Sequence, residues 1–81
     1  MSMHREYKGF EIHAHALPSG NLHVPFVTLT KHTAKGVNEI KLEPPCGKGC
    51  KTEDEALKMA MEYGLAAIDG EVRGFDPRTL L

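Results

Sequence analysis

The stretch FEIHAHA at residues 10–16 determines the fold class, because apolar and polar side chains alternate strictly along it. This period of two is the pattern of a half-buried β-strand. The sequence PSGN at residues 18–21 follows and predicts a hairpin turn, since Gly and Asn tolerate positive φ angles. The first predicted strand covers about residues 7–17, with one apolar face: Phe10, Ile12, Ala14 and Ala16.

Two further strands are predicted after this turn. Residues 22–31 are rich in β-branched and aromatic side chains, which favour strands. The apolar alternation shifts between Phe26 and Val27, and Pro25 cannot donate a ladder hydrogen bond, so we expect a bulge or an edge position there. Residues 37–43 alternate again and predict a third strand.

A loop and a helix complete the chain. Residues 44–51 contain two Pro and two Gly, which predicts a loop. Thr52 and Glu55 have the spacing of a capping box, in which each side chain bonds a backbone amide at the start of a helix. An apolar stripe then predicts a helix over about residues 53–68, and the Asp-Gly pair at 69–70 ends it.

Together these elements predict one α+β domain over residues 1–81, with a short C-terminal tail at 71–81. It is a small antiparallel β-sheet of three or more strands, packed against one C-terminal helix. Gly64 is expected to let that helix approach the sheet closely. The expected core side chains are Phe10, Ile12, Val24, Phe26, Ile40, Leu42, Leu57, Met61, Leu65 and Ile68.

Composition narrows the classes of function. The 81 residues are 41% hydrophobic and 26% charged, which excludes a disordered chain. The net charge of −1 gives no overall attraction to nucleic acid or to an anionic membrane. The polar start lacks a secretory signal and no apolar run could span a bilayer, so we expect a cytoplasmic protein with reduced cysteines.

Three histidines form the first candidate metal site. Aligning the apolar faces of the first hairpin pairs Ala16 with Leu22 and places His15 opposite His23, with His13 beside them on the outward face. Three imidazoles can hold zinc and leave a fourth position open. We prefer to interpret them as polar residues of a solvated strand face, because no carboxylate is placed to orient the rings.

Two cysteines form the second candidate. Cys46 and Cys50 lie four residues apart in the Gly-rich loop and supply half of a tetrahedral zinc site, whose remaining ligands would have to be His4 or His32. We prefer an exposed loop with reduced thiols. Because the predicted core needs no metal, we expect no cofactor, no stoichiometric zinc and metal-independent folding.

Charge is distributed unevenly along the chain. Residues 31–51 contain five basic residues and two acidic ones, so a nucleic-acid interface is an alternative. This segment lacks the aromatic residues, interleaved with basic ones, on which nucleic-acid bases stack. We therefore prefer to interpret it as a solvated face whose lysines disfavour pairing at the sheet edges. The five candidate contacts are Lys31, Lys35, Lys41, Lys48 and Lys51.

Three spaced motifs resemble those of small uncharacterised bacterial β-β-β-α proteins of unknown function: Tyr7-x-Gly9-Phe10, Thr52-x-x-Glu55 and Ile68-Asp69-Gly70. The resemblance implies a fold rather than an activity. The three strands and the Thr-x-x-Glu-Ala helix start are also similar, more weakly, to HicB-type antitoxin domains. That similarity implies an antitoxin-like or nucleic-acid-binding role.

No arrangement in the sequence has the specificity of a catalytic site, so we expect a protein that is not an enzyme. The predicted function is that of a small bacterial interaction or accessory protein from a mobile-element or phage-derived gene cluster. We expect a monomer that contacts an unidentified protein partner through Val27, Leu29 or an exposed strand edge. The alternatives are nucleic-acid binding through the lysines and, more remotely, metal binding through the Cys/His set.

Overall fold

The structure is a computed structural model that describes residues 2–45, 49–72 and 74–76. Four strands, β1 (Ser2–Tyr7), β2 (Phe10–Ser19), β3 (Leu22–Thr33) and β4 (Gly36–Leu42), precede one helix, α1 (Glu53–Ile68). The strands form one antiparallel sheet in the order β1-β2-β3-β4, and α1 packs mainly on β2 and β3. The predicted α+β class, an antiparallel sheet against a C-terminal helix, is confirmed. Cys46, Lys48 and the end of the predicted tail lie outside the described residues.

The strand predicted over residues 7–17 is divided differently in the structure. Tyr7 ends β1, and Phe10 begins β2 directly opposite it. Lys8 and Gly9 form the turn between them, with φ angles of 50° and 84°. Two consecutive positive φ angles are typical of a type I′ hairpin turn. Sequence alternation does not reveal β1, because this edge strand is polar and almost entirely exposed.

The register of the β2–β3 hairpin also differs from the prediction. Ser19 pairs with Leu22, so the turn consists of only residues 20–21. Gly20 occupies it with a φ of 62°, the left-handed region that favours glycine. The predicted pairing of Ala16 with Leu22 is therefore wrong, and Ala16 pairs with Pro25 instead. The prediction failed because Pro18 and Ser19 continue the strand rather than turn the chain.

This register changes which β3 side chains face the helix. Val27 and Leu29 are fully buried beneath α1, whereas Val24 and Phe26, predicted as core residues, lie partly exposed on the opposite face. The register is continuous across Pro25, so the expected bulge does not form. Pro25 is tolerated because β4 pairs with β3 only as far as Val27, which leaves Pro25 with one neighbouring strand.

Helix α1 lies very close to the sheet at Gly64. A Cβ atom built on Gly64 would be 2.9 Å from Ile12 Cγ2 and 3.0 Å from Val27 Cγ2. Both contacted side chains are fully buried, so an added Cβ would have to displace close-packed atoms. The expected packing role of Gly64 is confirmed. At the start of the helix, the Thr52 hydroxyl accepts a hydrogen bond of 3.1 Å from the Glu55 amide, as the capping box predicts.

We predict that Gly64→Ala destabilises the protein by about 1 kcal/mol, because overpacking costs about 1–3 kcal/mol and exceeds the ~1 kcal/mol that alanine adds to helix propensity. Denaturant unfolding followed by circular dichroism measures this change. Ala66→Gly in the same helix is the control that reports helix propensity. A Gly64→Ala variant more stable than wild type would contradict the close packing.

The end of α1 is joined to the β1–β2 turn through Asp69. Lys8 Nζ lies 2.6 Å from Asp69 Oδ1, and the Tyr7 hydroxyl donates to the same carboxylate at 3.0 Å. The hydrogen bond from Lys8, followed by that from Tyr7, lowers the pKa of Asp69 below its usual value. Two of the motifs noted in the sequence, at residues 7–9 and 68–70, therefore meet in the structure.

We predict that the stability conferred by Asp69 is present at neutral pH and is lost in acid. Because the folded-state pKa is depressed, this contribution disappears as the pH falls below the ordinary carboxyl pKa of about 4 and on through the folded value. The stability difference between wild type and Asp69→Asn should then shrink. Urea unfolding from pH 7 to pH 2.5 measures it, with Glu62→Gln as a charge-matched control on the exposed side of α1. A difference that stays constant over this range would contradict the pairing.

Candidate functional site: the uncovered face of the sheet

One face of the sheet is covered by α1, and in the described part of the chain no element packs on the other face. We call this other side the outer face. Strand pairing assigns side chains to it, because directly paired residues share a face. Its members include His4, Glu6, Glu11, His13, His15, Leu17, Val24, Phe26, Thr28, Thr30, His32, Glu39 and Lys41.

Imidazole and carboxylate groups cluster at one part of the outer face. His4 pairs across strands with His13, and their rings stack with centroids 4.5 Å apart. Glu11 lies two residues before His13 on β2, and its Oε2 is 3.6 Å from His13 Nε2. One ligand atom from each of His4, Glu11 and His13 lies within 4.8 Å of the others. His32 approaches from β3, with its Nε2 3.3 Å from Glu11 Oε1.

The three histidines predicted to converge do not meet. His13 belongs to the cluster just described, but His15 pairs with Phe26 rather than with His23. His23 pairs with Pro18, which places it on the helix side of the sheet. The expectation that no carboxylate lies beside the imidazoles is wrong, because Glu11 shares the face of His13 and its Oε2 lies 3.6 Å from His13 Nε2. The signal was present, since a carboxylate two residues from His13 in a strand must share its face.

His15 instead forms an aromatic stack. Its ring lies 4.6 Å from the Phe26 ring with an interplanar angle of 12°. Burial lowers the pKa of His15 below its usual value, and the positive charges of His13 and Lys41 lower it further. The neutral form of His15 is thus favoured at neutral pH. A neutral ring stacked on Phe26 extends the apolar part of the outer face.

The second predicted candidate, the cysteine loop, is only partly described. Cys50 forms an isolated β-bridge with His23, with backbone hydrogen bonds of 2.8 and 2.7 Å. It is buried with Ala16, Ala56 and Leu57, which corrects the expectation that its thiol is exposed. The buried His23 Nδ1 has no hydrogen-bond partner within the described chain. Cys50 therefore helps to form the core, and Cys46, the other cysteine of this candidate, lies outside the described residues.

An apolar groove occupies the other part of the outer face. Leu17, Val24 and Phe26 line it, with Lys41 and Glu43 at its border, and it encloses about 220 Å³. Leu17 is 53% exposed although it is a large apolar side chain. The groove exists because the two-residue turn directs Val24 and Phe26 away from the helix.

The predicted lysine surface is dispersed over the described residues. Lys31 shares the helix side of the sheet and lies over the Phe10 ring at 5.0 Å, whereas Lys41 is on the outer face. Lys35 follows the end of β3, and Lys51 adjoins the bridge at the start of β3. Because β3 is twelve residues long, these two lysines lie near opposite ends of the sheet.

Comparison with protein-family models, curated proteins and solved structures finds no match to this chain. The resemblance of its motifs to small bacterial β-β-β-α proteins and to HicB-type antitoxin domains thus stays a prediction. Among the described residues, no helix has the length and apolar character required to cross a membrane.

Proposed function

We propose that this protein is a non-enzymatic binding module of the bacterial cytoplasm that contacts a protein partner through the apolar groove of its outer face. One observation carries the proposal: an uncovered sheet face presents a contiguous groove of Leu17, Val24 and Phe26. Exposed apolar patches with polar borders are typical of interaction sites. A small accessory protein from a mobile-element or phage-derived gene cluster fits such a role.

The composition of the groove favours a protein partner. Its floor is apolar and aromatic, and its border carries one positive and one negative charge, Lys41 and Glu43. A mixed border of this kind gives no preference for a polyanion. The lysines that the structure describes are likewise dispersed and do not form the single basic surface that nucleic-acid binding requires. A groove of about 220 Å³ suits an anchoring apolar side chain of a partner, with polar contacts around it.

The residues that line the groove differ from the partner contacts predicted from the sequence. Val27 and Leu29 are fully buried beneath α1, so the expectation that they contact a partner is wrong. The strand edges are less suitable. Edge strand β4 alternates Glu39 and Lys41 on its outer side, and such charges oppose pairing with another strand. Edge strand β1 is mostly polar, with Met3 as its one exposed large apolar side chain.

We predict that Leu17→Glu abolishes partner capture without unfolding the protein, because the side chain is exposed and a buried carboxylate would be unpaired in the complex. The measurement is quantitative pull-down from a native lysate with wild-type and variant proteins, followed by mass spectrometry. Val37→Glu is the matched control, since Val37 is 58% exposed on the same face but outside the groove.

The expected result is one set of proteins retained by wild type and Val37→Glu and lost with Leu17→Glu. Equal retention by all three would contradict the groove as the binding site.

Sedimentation of the isolated protein addresses self-association. We expect a monomer of 8.9 kDa, and a mass of twice this value that Leu17→Glu halves would identify a second copy as the occupant instead.

A further inference from the structure

We infer that His4, Glu11 and His13 form a binding site for a late first-row divalent metal ion, of the Zn²⁺ class. The site lies on the part of the outer face closest to the edge strand β1. It shares no residue with the apolar groove, so the inference does not rest on the proposed protein interaction.

The pairing of β1 with β2 brings the three ligands together. His4 and His13 are direct cross-strand partners, and Glu11 shares their face because it lies two residues from His13. Their ligand atoms lie within 4.8 Å of one another, whereas the ligands of a tetrahedral zinc ion are about 3.3 Å apart. His4 is exposed, so rotation of its side chain can close this difference without moving the strands.

His32 contacts the carboxylate of Glu11 from β3. Its Nε2 lies 3.3 Å from Glu11 Oε1, while Glu11 Oε2 faces His13 Nε2 at 3.6 Å. One carboxylate oxygen of Glu11 thus contacts His32 on β3, and the other points toward the histidine pair. Outer contacts of this kind orient the ligands of protein metal sites and raise their affinity. His32 is therefore a positioning residue of the site.

The ligand set selects the class of metal. Two imidazoles and one carboxylate suit Zn²⁺, Ni²⁺ or Cu²⁺, whereas Mg²⁺ and Ca²⁺ prefer oxygen ligands alone. Glu6 pairs directly with Glu11 and adds negative charge beside the site. Three protein ligands leave a coordination position open, and Glu11 and His32 also border a cavity of about 370 Å³. Water or an exogenous ligand can occupy that position.

The ion would not be required for folding. The core lies between the other face of the sheet and α1, and its residues are apolar. The inference keeps the expectation of metal-independent folding, because a reversible site on the outer face is not part of the core, and it replaces the expectation of no stoichiometric zinc. A structural zinc ion, in contrast, would make the fold sensitive to chelators.

Isothermal titration of the tag-free protein with ZnCl₂, paired with ¹H–¹⁵N spectra, tests the inference. We expect one Zn²⁺ per chain, shifts centred on residues 4 and 11–13, and no response to MgCl₂. His4→Gln, Glu11→Gln and His13→Gln should each weaken binding more than about tenfold, and His32→Gln by about tenfold. His15→Gln is the control on the same strand and face, and it should bind as wild type does.

Thermal melts establish that each variant is folded, and the melting temperature of wild type should be unchanged by EDTA. Absence of zinc binding, or equal binding by wild type and His13→Gln, would overturn the inference. Zinc binding that survives these substitutions but is lost in Cys50→Ser would place the metal at the cysteine loop and would also overturn it.

Discussion

The two-residue turn at residues 20–21 is the constraint on which the arrangement of this protein depends. It fixes the register of β2 against β3, and a register determines which side chains of a strand face which side of the sheet. With Ser19 opposite Leu22, Val27 and Leu29 form the floor on which α1 packs. The same register directs Val24 and Phe26 outward. The turn therefore determines both which β3 side chains form the core and which lie on the outer face.

The close approach of α1 explains why the chain covers only one face. A single helix of sixteen residues packs along β2 and β3, with Gly64 allowing contact with Ile12 and Val27. Lys8 of the β1–β2 turn and Tyr7 at the end of β1 hold the C-terminal end of the helix through Asp69. No second helix is present in the described residues to cover the outer face. The His4, Glu11 and His13 cluster and the apolar groove lie on different parts of the outer face and share no residue.

Much of the fold was predictable from local patterns. The alternation in residues 10–16 indicated β2, and the capping box at Thr52 indicated the start of α1. Strand β1 was not predictable in this way, because an exposed edge strand has no apolar period. The hairpin register failed because PSGN predicts a turn over residues 18–21, whereas the structure uses only residues 20–21 as the turn. A register error of this kind moves whole sets of side chains to the wrong face.

The candidate sites depended on that register and could be predicted only in part. His13 was recognised as a candidate ligand. Its partner His4 lies on β1, a strand that the sequence did not reveal, whereas Glu11 lies on the predicted strand and shares the face of His13 by alternation. The apolar groove was not predicted, because Val24 and Phe26 are large apolar residues and were expected in the core.

Proton NMR of the isolated protein tests whether the register of β2 against β3 produces this outer face. Nuclear Overhauser effects between the His15 and Phe26 rings, and between the His4 and His13 rings, are predicted from centroid distances of 4.6 and 4.5 Å. Nuclear Overhauser effects between His15 and His23, and between Ala16 and Leu22, would instead indicate the register in which Ala16 pairs with Leu22. That result would contradict the register described above, because it would return Val24 and Phe26 to the core.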